Sequence, residues 1–179
     1  MKVDSVITLA ILALGNGAIA ALSPADWYKT MKPPNERFVL NAEQAQKAIN
    51  AAAAVASQNS SPSTIVVLDP AGFVISLLRM DNAWIESVDT CIKKTRSVSL
   101  FNGAFTTEEL NPIIHAGSED YGLETANGGL MFVKGAIPLY INGTFFAAIG
   151  VCGGSGAQDV EAAIAGVLAV NGTTLTKVG

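Results

Sequence analysis

The sequence predicts one α/β domain of the α+β type, with antiparallel strands packed against helices. Three observations carry this. Residues 64–78 read as a β-hairpin around Asp69-Pro70-Ala71-Gly72, and residues 136–151 as a second around Asn142-Gly143. Segments with apolar residues at helical spacing lie before, between and after these hairpins, the first and last of them alanine-rich. The length, 179 residues, suits a single domain, and the chain carries neither an internal repeat nor a linker.

Taken in order, residues 1–21 read as a secretory signal peptide. Lys2 supplies the charge, residues 6–14 form the apolar run, and Ala18-Ile19-Ala20 has the A-x-A form of a cleavage site. Gly15, Asn16 and Gly17 break the run before it can span a bilayer, so no membrane span is expected after cleavage. The pattern predicts a secreted protein. Sequons at Asn59, Asn142 and Asn171 agree with export and mark glycosylation positions. Residues 22–39, with Pro24, Pro33 and Pro34, read as an irregular N-terminal arm, and residues 40–179 as the domain.

Asn41 has the character of an N-cap, with Gln44 three residues on, and Ala45, Ala48, Ile49, Ala52, Val55 and Ala56 share one helical face. Residues 64–68 are β-branched and apolar, and residues 73–78 complete the hairpin. Residues 83–101 read as a helix with Trp84, Val88, Cys91, Ile92, Thr95 and Val98 spaced for burial. Thr106 caps one further turn. Residues 111–129 are the least regular stretch and contain the single histidine, His115; so long a connection in a compact domain points to a functional or mobile segment. A short strand is expected at 131–133, and the glycine-rich residues 152–156 lead into a closing helix at 158–170.

Eleven basic residues stand against 15 acidic ones, a formal net charge of −4, which excludes a nucleic-acid binder that would need a basic stripe. One histidine and two cysteines, with no His-Glu-x-x-His and no Cys-x-x-Cys, exclude the common zinc sites. The glycine-rich turn lacks a phosphate-loop ending, and Asp159 and Glu161 behind it would repel a phosphate. Cys91 and Cys152 are either small buried thiols or, in an oxidising compartment, a disulfide; their sequence separation does not choose.

Asp69-x-x-Gly72, Arg79-Met80-Asp81-x-Ala83, Lys94, Gly135-Ala136-Ile137-Pro138, Asn142-Gly143 and Ala148-Ile149-Gly150-Val151-x-Gly153 with Gln158-Asp159 occur in one order. In that order they resemble the GlcG/HbpS family, also known as the haem-degrading or PduO C-terminal-like domain. The resemblance implies an antiparallel sheet of about five strands with helices on both faces, assembly into homo-oligomers, and, for some members, extracellular haem binding. The chain departs from the pattern at Cys91, Thr95 and Ser97 in the second helix, and at Cys152, where the family carries a serine.

Two functions follow from these residues. The first is binding of a small ligand, haem or another flat organic molecule, by Arg79, Lys94, His115, Tyr121, Gly150 and Gly153. His115 is then the candidate ligand to haem iron, and the cations suit a carboxylate or a haem propionate. The alternative is a cofactor-independent isomerase, cyclase or lyase of secondary metabolism. There Asp81 and Lys94 would move the proton, with Glu124 or Tyr121 assisting. Arg79, Asp81, Lys94 and Arg96 also read, somewhat more readily, as surface ion pairs tying the hairpin to the helix.

Overall fold

A computed structural model describes residues 37–174 together with residue 35. The expected signal peptide and nearly all of the N-terminal arm lie outside the described residues. Helix α1 (Ala42–Gln58) opens on the expected capping box: Asn41 Oδ1 accepts from Gln44 N at 2.8 Å, and Gln44 Oε1 accepts from Asn41 N at 3.1 Å. Its buried face is Ala45, Ala48, Ile49, Ala52 and Ala56. Strands β1 (Thr64–Leu68) and β2 (Val74–Arg79) form the first hairpin. Asp69 Oδ1 accepts from the N–H groups of Ala71 and Phe73, both at 2.9 Å, and Gly72 takes φ +84° to close the turn.

Helix α2 (Ser87–Leu100) and the single turn α3 (Thr107–Leu110), capped by Thr106, follow. Residues 111–129 hold only short 3₁₀ turns. Strands β3 (Ala136–Ile141) and β4 (Thr144–Cys152) form the Asn142-Gly143 hairpin, and helix α4 (Gly156–Ala169) starts from a capping box of Ser155 and Gln158.

The strands pair antiparallel throughout, in the order β2-β1-β4-β3. Strand β1 is wholly buried because helices cover both faces of the sheet. Alternation along the strands sorts the two cores. Ile65, Val67, Leu139, Ile149 and Val151 face α1 and α4, while Val66, Leu68 and Ala148 face α2 with Cys91 and Val98. Beyond β3, Tyr140 exchanges backbone hydrogen bonds of 2.8 Å with Thr173, so that edge is partly covered. The mixed fold with helices on both faces is as expected.

Three details differ from the expectation. The sheet has four strands, not about five. Residues 131–133 form no strand: Met131 N donates to Ser97 Oγ and Phe132 O accepts from Asn111 Nδ2, so side chains satisfy the backbone instead of a neighbouring strand. Helix α2 begins at Ser87 rather than 83. Residues 80–86 are still turning, with Ala83 N donating to Met80 O, and this leaves Trp84 70% exposed instead of buried.

Candidate functional site

Lys94 and Asp159 both sit on buried helical stripes. On α2 the stripe is Cys91, Lys94, Thr95 and Val98; on α4 it is Asp159, Ala162, Ala163, Gly166 and Val167. Since α2 and α4 lie on opposite faces of the sheet, the two side chains meet at its end, beside the last residues of β4. Lys94 is 1% exposed. Its ammonium has three hydrogens, and three oxygens receive them: Val151 O at 2.5 Å, Lys134 O at 3.1 Å and Asp159 Oδ2 at 3.2 Å. Asp159 Oδ1 accepts from Gly154 N at 3.0 Å.

This polar cluster forms the floor of a pocket of about 420 Å³, a size suited to a small organic molecule. Trp84, Glu86, Ser87, Thr90, Val133, Cys152, Gly153 and Gly154 complete its lining. Gly153 is required as a glycine, because a Cβ there would meet Pro62 O and Ser63 Oγ, both at 2.4 Å, bringing the turn close against the segment before β1. Cys91 lies directly behind Cys152; both are free thiols, and Cys91 Sγ donates to Thr64 O at 3.3 Å.

The electrostatics follow from this packing. Burial by itself would lower the Lys94 pKa, but the neighbouring Cys152 and Asp159 outweigh it and hold the ammonium protonated. Burial pushes the Asp159 carboxyl up, against the pull of Lys94 and of the Gly154 N–H. Burial also raises the Cys91 thiol well above its ordinary value. Cys152 is held below the usual thiol range by the Cys91 thiol, and then, against the cost of burial, by the Lys94 ammonium.

Of the residues expected at the site, the structure brings together Lys94 and Gly153, and adds Cys152 beside them. Arg79 is exposed at the end of β2 and Asp81 in the turn after it; neither lines this pocket. The carboxylate beside Lys94 is Asp159, not Asp81. Arg96 Nε instead reaches back to Gly72 O at 3.4 Å. Gly150 is buried under Thr95, where any Cβ would collide with the threonine side chain. His115 is exposed in the irregular loop with Nδ1 3.2 Å from Ala116 O, and Tyr121 is 63% exposed; neither lines the pocket. Glu124 Oε2 accepts from Gly122 N within its own loop. Sequence reasoning missed Trp84 as a pocket wall and Asp159 as the partner of Lys94. An acidic residue three and four positions before Ala162 and Ala163 was the available signal for the latter, since a buried carboxylate requires a cation.

Fold and pocket together define a two-faced antiparallel α/β domain with a cavity of small-molecule size at one sheet end. The chain belongs to the haem-degrading HbpS-like family, whose model matches residues 40–168. It is 29% identical over 116 residues to an uncharacterised 15.0 kDa protein of Citrobacter freundii encoded between dhaT and dhaS, covering 64% of this chain and 80% of that one. It is 26% identical over 145 residues to the corrinoid adenosyltransferase PduO of Salmonella typhimurium, covering 78% of this chain but only 43% of that protein. Among solved structures, the PduOC:haem complex is similar with a TM-score of 0.71 at 26% identity, covering 77% of this chain and 99% of that one. An HbpS double mutant from Streptomyces reticuli gives a TM-score of 0.65 at 26% identity, covering 90% of this chain and 97% of that one.

Proposed function

We propose that this protein binds a small flat organic ligand, haem or a molecule of similar shape, in the pocket between Trp84 and Cys152. The observation that carries the reading is the pocket itself: the exposed Trp84, Val133 and two glycines share its lining with a charged but fully hydrogen-bonded Lys94. The indole offers a stacking face, and the glycines add no side chains to the lining. The haem complex of the PduO C-terminal domain supports haem as the occupant.

The residues fit a haem ring better than they fit the expected iron ligand. His115 lies outside the pocket, and the three hydrogens of Lys94 are already committed to protein oxygens. Ring contacts at Trp84 and Val133 would therefore hold the macrocycle, and Lys94 would contribute its field rather than a hydrogen bond. Bound haem would supply redox and oxygen chemistry through its iron. Titration with haemin should give a saturable change in the Soret band. Trp84→Ala should weaken it about tenfold, and His115→Ala should leave it within about twofold. Loss on His115→Ala with retention on Trp84→Ala would move the site to the 111–129 loop. The acid/base alternative finds less support, because Asp81 and Lys94 are not brought together.

The same reading includes export, glycosylation and self-assembly. Export rests on the leader pattern. Asn142 and Asn171 are exposed at turns, whereas Asn59 Nδ2 donates to Glu161 Oε2 at 2.9 Å, a bond that a glycan would disturb. Assembly is supported by the apolar outer strand of the sheet, where Phe73, Val74 and Leu77 are exposed. No helix among the described residues is long and apolar enough to cross a membrane. Native mass spectrometry of protein from its own source reads leader removal, glycans and copy number together.

A further inference from the structure

Cys91 and Cys152 come from separate elements, α2 and β4, and packing of α2 on β1 and β4 puts them in one cluster with Val66 and Leu68. Their environments differ. Cys91 is completely buried, and its S–H is directed at Thr64 O. Cys152 is 5% exposed, and that opening faces the pocket, next to the Lys94 ammonium. A buried cation beside a pocket-facing thiol, with a second thiol behind it, is the arrangement of an attacking and a resolving cysteine.

We propose that Cys152 and Cys91 form a redox-active dithiol that reduces a small hydroperoxide entering the pocket and closes to a disulfide. The Cys152 sulfur attacks one oxygen of the peroxide; an S–O bond forms and the O–O bond breaks. The thiol proton ends on the departing oxygen, which leaves as an alcohol, or as water if the oxidant is hydrogen peroxide. Cys152 is then a sulfenic acid. The Cys91 sulfur attacks it, the S–S bond forms, the S–O bond breaks, and the hydroxyl leaves with the Cys91 proton as water. Two electrons pass from the thiol pair to the peroxide. A small oxygen electrophile suits the site because a cysteine only 5% exposed leaves little room for a bulky one. The direction of attack follows from access: only Cys152 lines the pocket, and its thiolate is the one stabilised by Lys94.

This chemistry shares the pocket with the proposed ligand but does not depend on it. The test uses the full reduced chain with hydrogen peroxide and tert-butyl hydroperoxide as probes, read by free-thiol titration and intact mass. The wild type should lose both thiols, fall in mass by two hydrogens without cross-linking between chains, and recover with dithiothreitol. Cys91→Ala should stop at a sulfenic acid that dimedone captures on Cys152. In Cys152→Ser, a near-isosteric change, Cys91 should stay reduced. Should Cys91→Ala fail to fold, early dimedone capture on the wild type must label Cys152. Thiols that survive peroxide sufficient to oxidise free cysteine, label on Cys91 first, or disulfides formed only between chains would each overturn the proposal. Failure of haemin binding with this oxidation intact would overturn the ligand reading alone.

Discussion

Lys94 is completely enclosed and still charged, and it is tolerated because each hydrogen of its ammonium has an oxygen and its charge has Asp159. Removing one partner of such a pair strands the other without water, a change that typically costs about 3–5 kcal/mol. A second enclosed titratable group is Tyr140, whose hydroxyl donates to Gly103 O at 2.7 Å and whose pKa burial pushes far above the usual 10.0. Both groups act in one direction. In the folded chain each keeps its proton at a pH where the unfolded chain would release it, so folding is linked to proton uptake. The stability they supply is complete below about pH 10 and falls as pH rises beyond it. Denaturant midpoints measured across that range should decline. Tyr140→Phe should flatten part of the decline while costing about 1 kcal/mol at neutral pH. An alkaline limb unchanged in that variant would remove Tyr140 from the account.

At the level of elements, small residues set how closely the helices approach the sheet. Gly150 on β4 lies directly under Thr95 of α2, whose Oγ1 donates to Cys91 O at 2.7 Å, and that contact brings Cys91 and Lys94 down to the end of β4. On the other face, Gly166 of α4 lies under Ala48, where a Cβ would come 2.9 Å from the Ala48 carbonyl oxygen. Gly150→Ala should therefore lower stability by about 1–3 kcal/mol, as overpacking does, and reduce ligand binding through displacement of α2 rather than through a lost contact. A variant with wild-type stability would show that α2 has room to move. The expected ligand role of Gly150 thus becomes a spacing role. The elements themselves were legible: α1, the two hairpins and the capped turn at Thr106 follow from local periodicity and turn chemistry. The start of α2 was not, because Trp84 fits a helical stripe in sequence while the Met80–Ala83 turn precedes it and leaves it exposed.

For the whole molecule, the two sheet edges are unequal. Strand β3 is bridged by Thr173, whereas β2 presents its outer edge with Phe73, Val74 and Leu77 exposed nearby. A bare apolar edge strand is a surface that folded proteins usually cover. A second copy would bury it, in keeping with a chain that is 50% hydrophobic and only 15% charged. Size-exclusion chromatography with light scattering should find more than one copy per particle, and Leu77→Lys should shift the particle toward monomer. A monomeric wild type would discount assembly through this edge.

The sequence by itself determined the fold class, the order of its elements and the family, because these rest on periodicity, capping, turn residues and motif order, all local along the chain. It did not show which of the candidate residues share a pocket. Arg79, Asp81, Lys94 and Arg96 are near one another in sequence, but β2 and α2 carry them to different parts of the surface and core. Only the tertiary structure joined Lys94 to Asp159, packed Cys91 against Cys152, and brought Trp84 into the lining of the same pocket. The physical reason is that packing of helices on the two faces of one sheet fixes which residues meet at its end, and that distance in space bears no relation to distance along the chain.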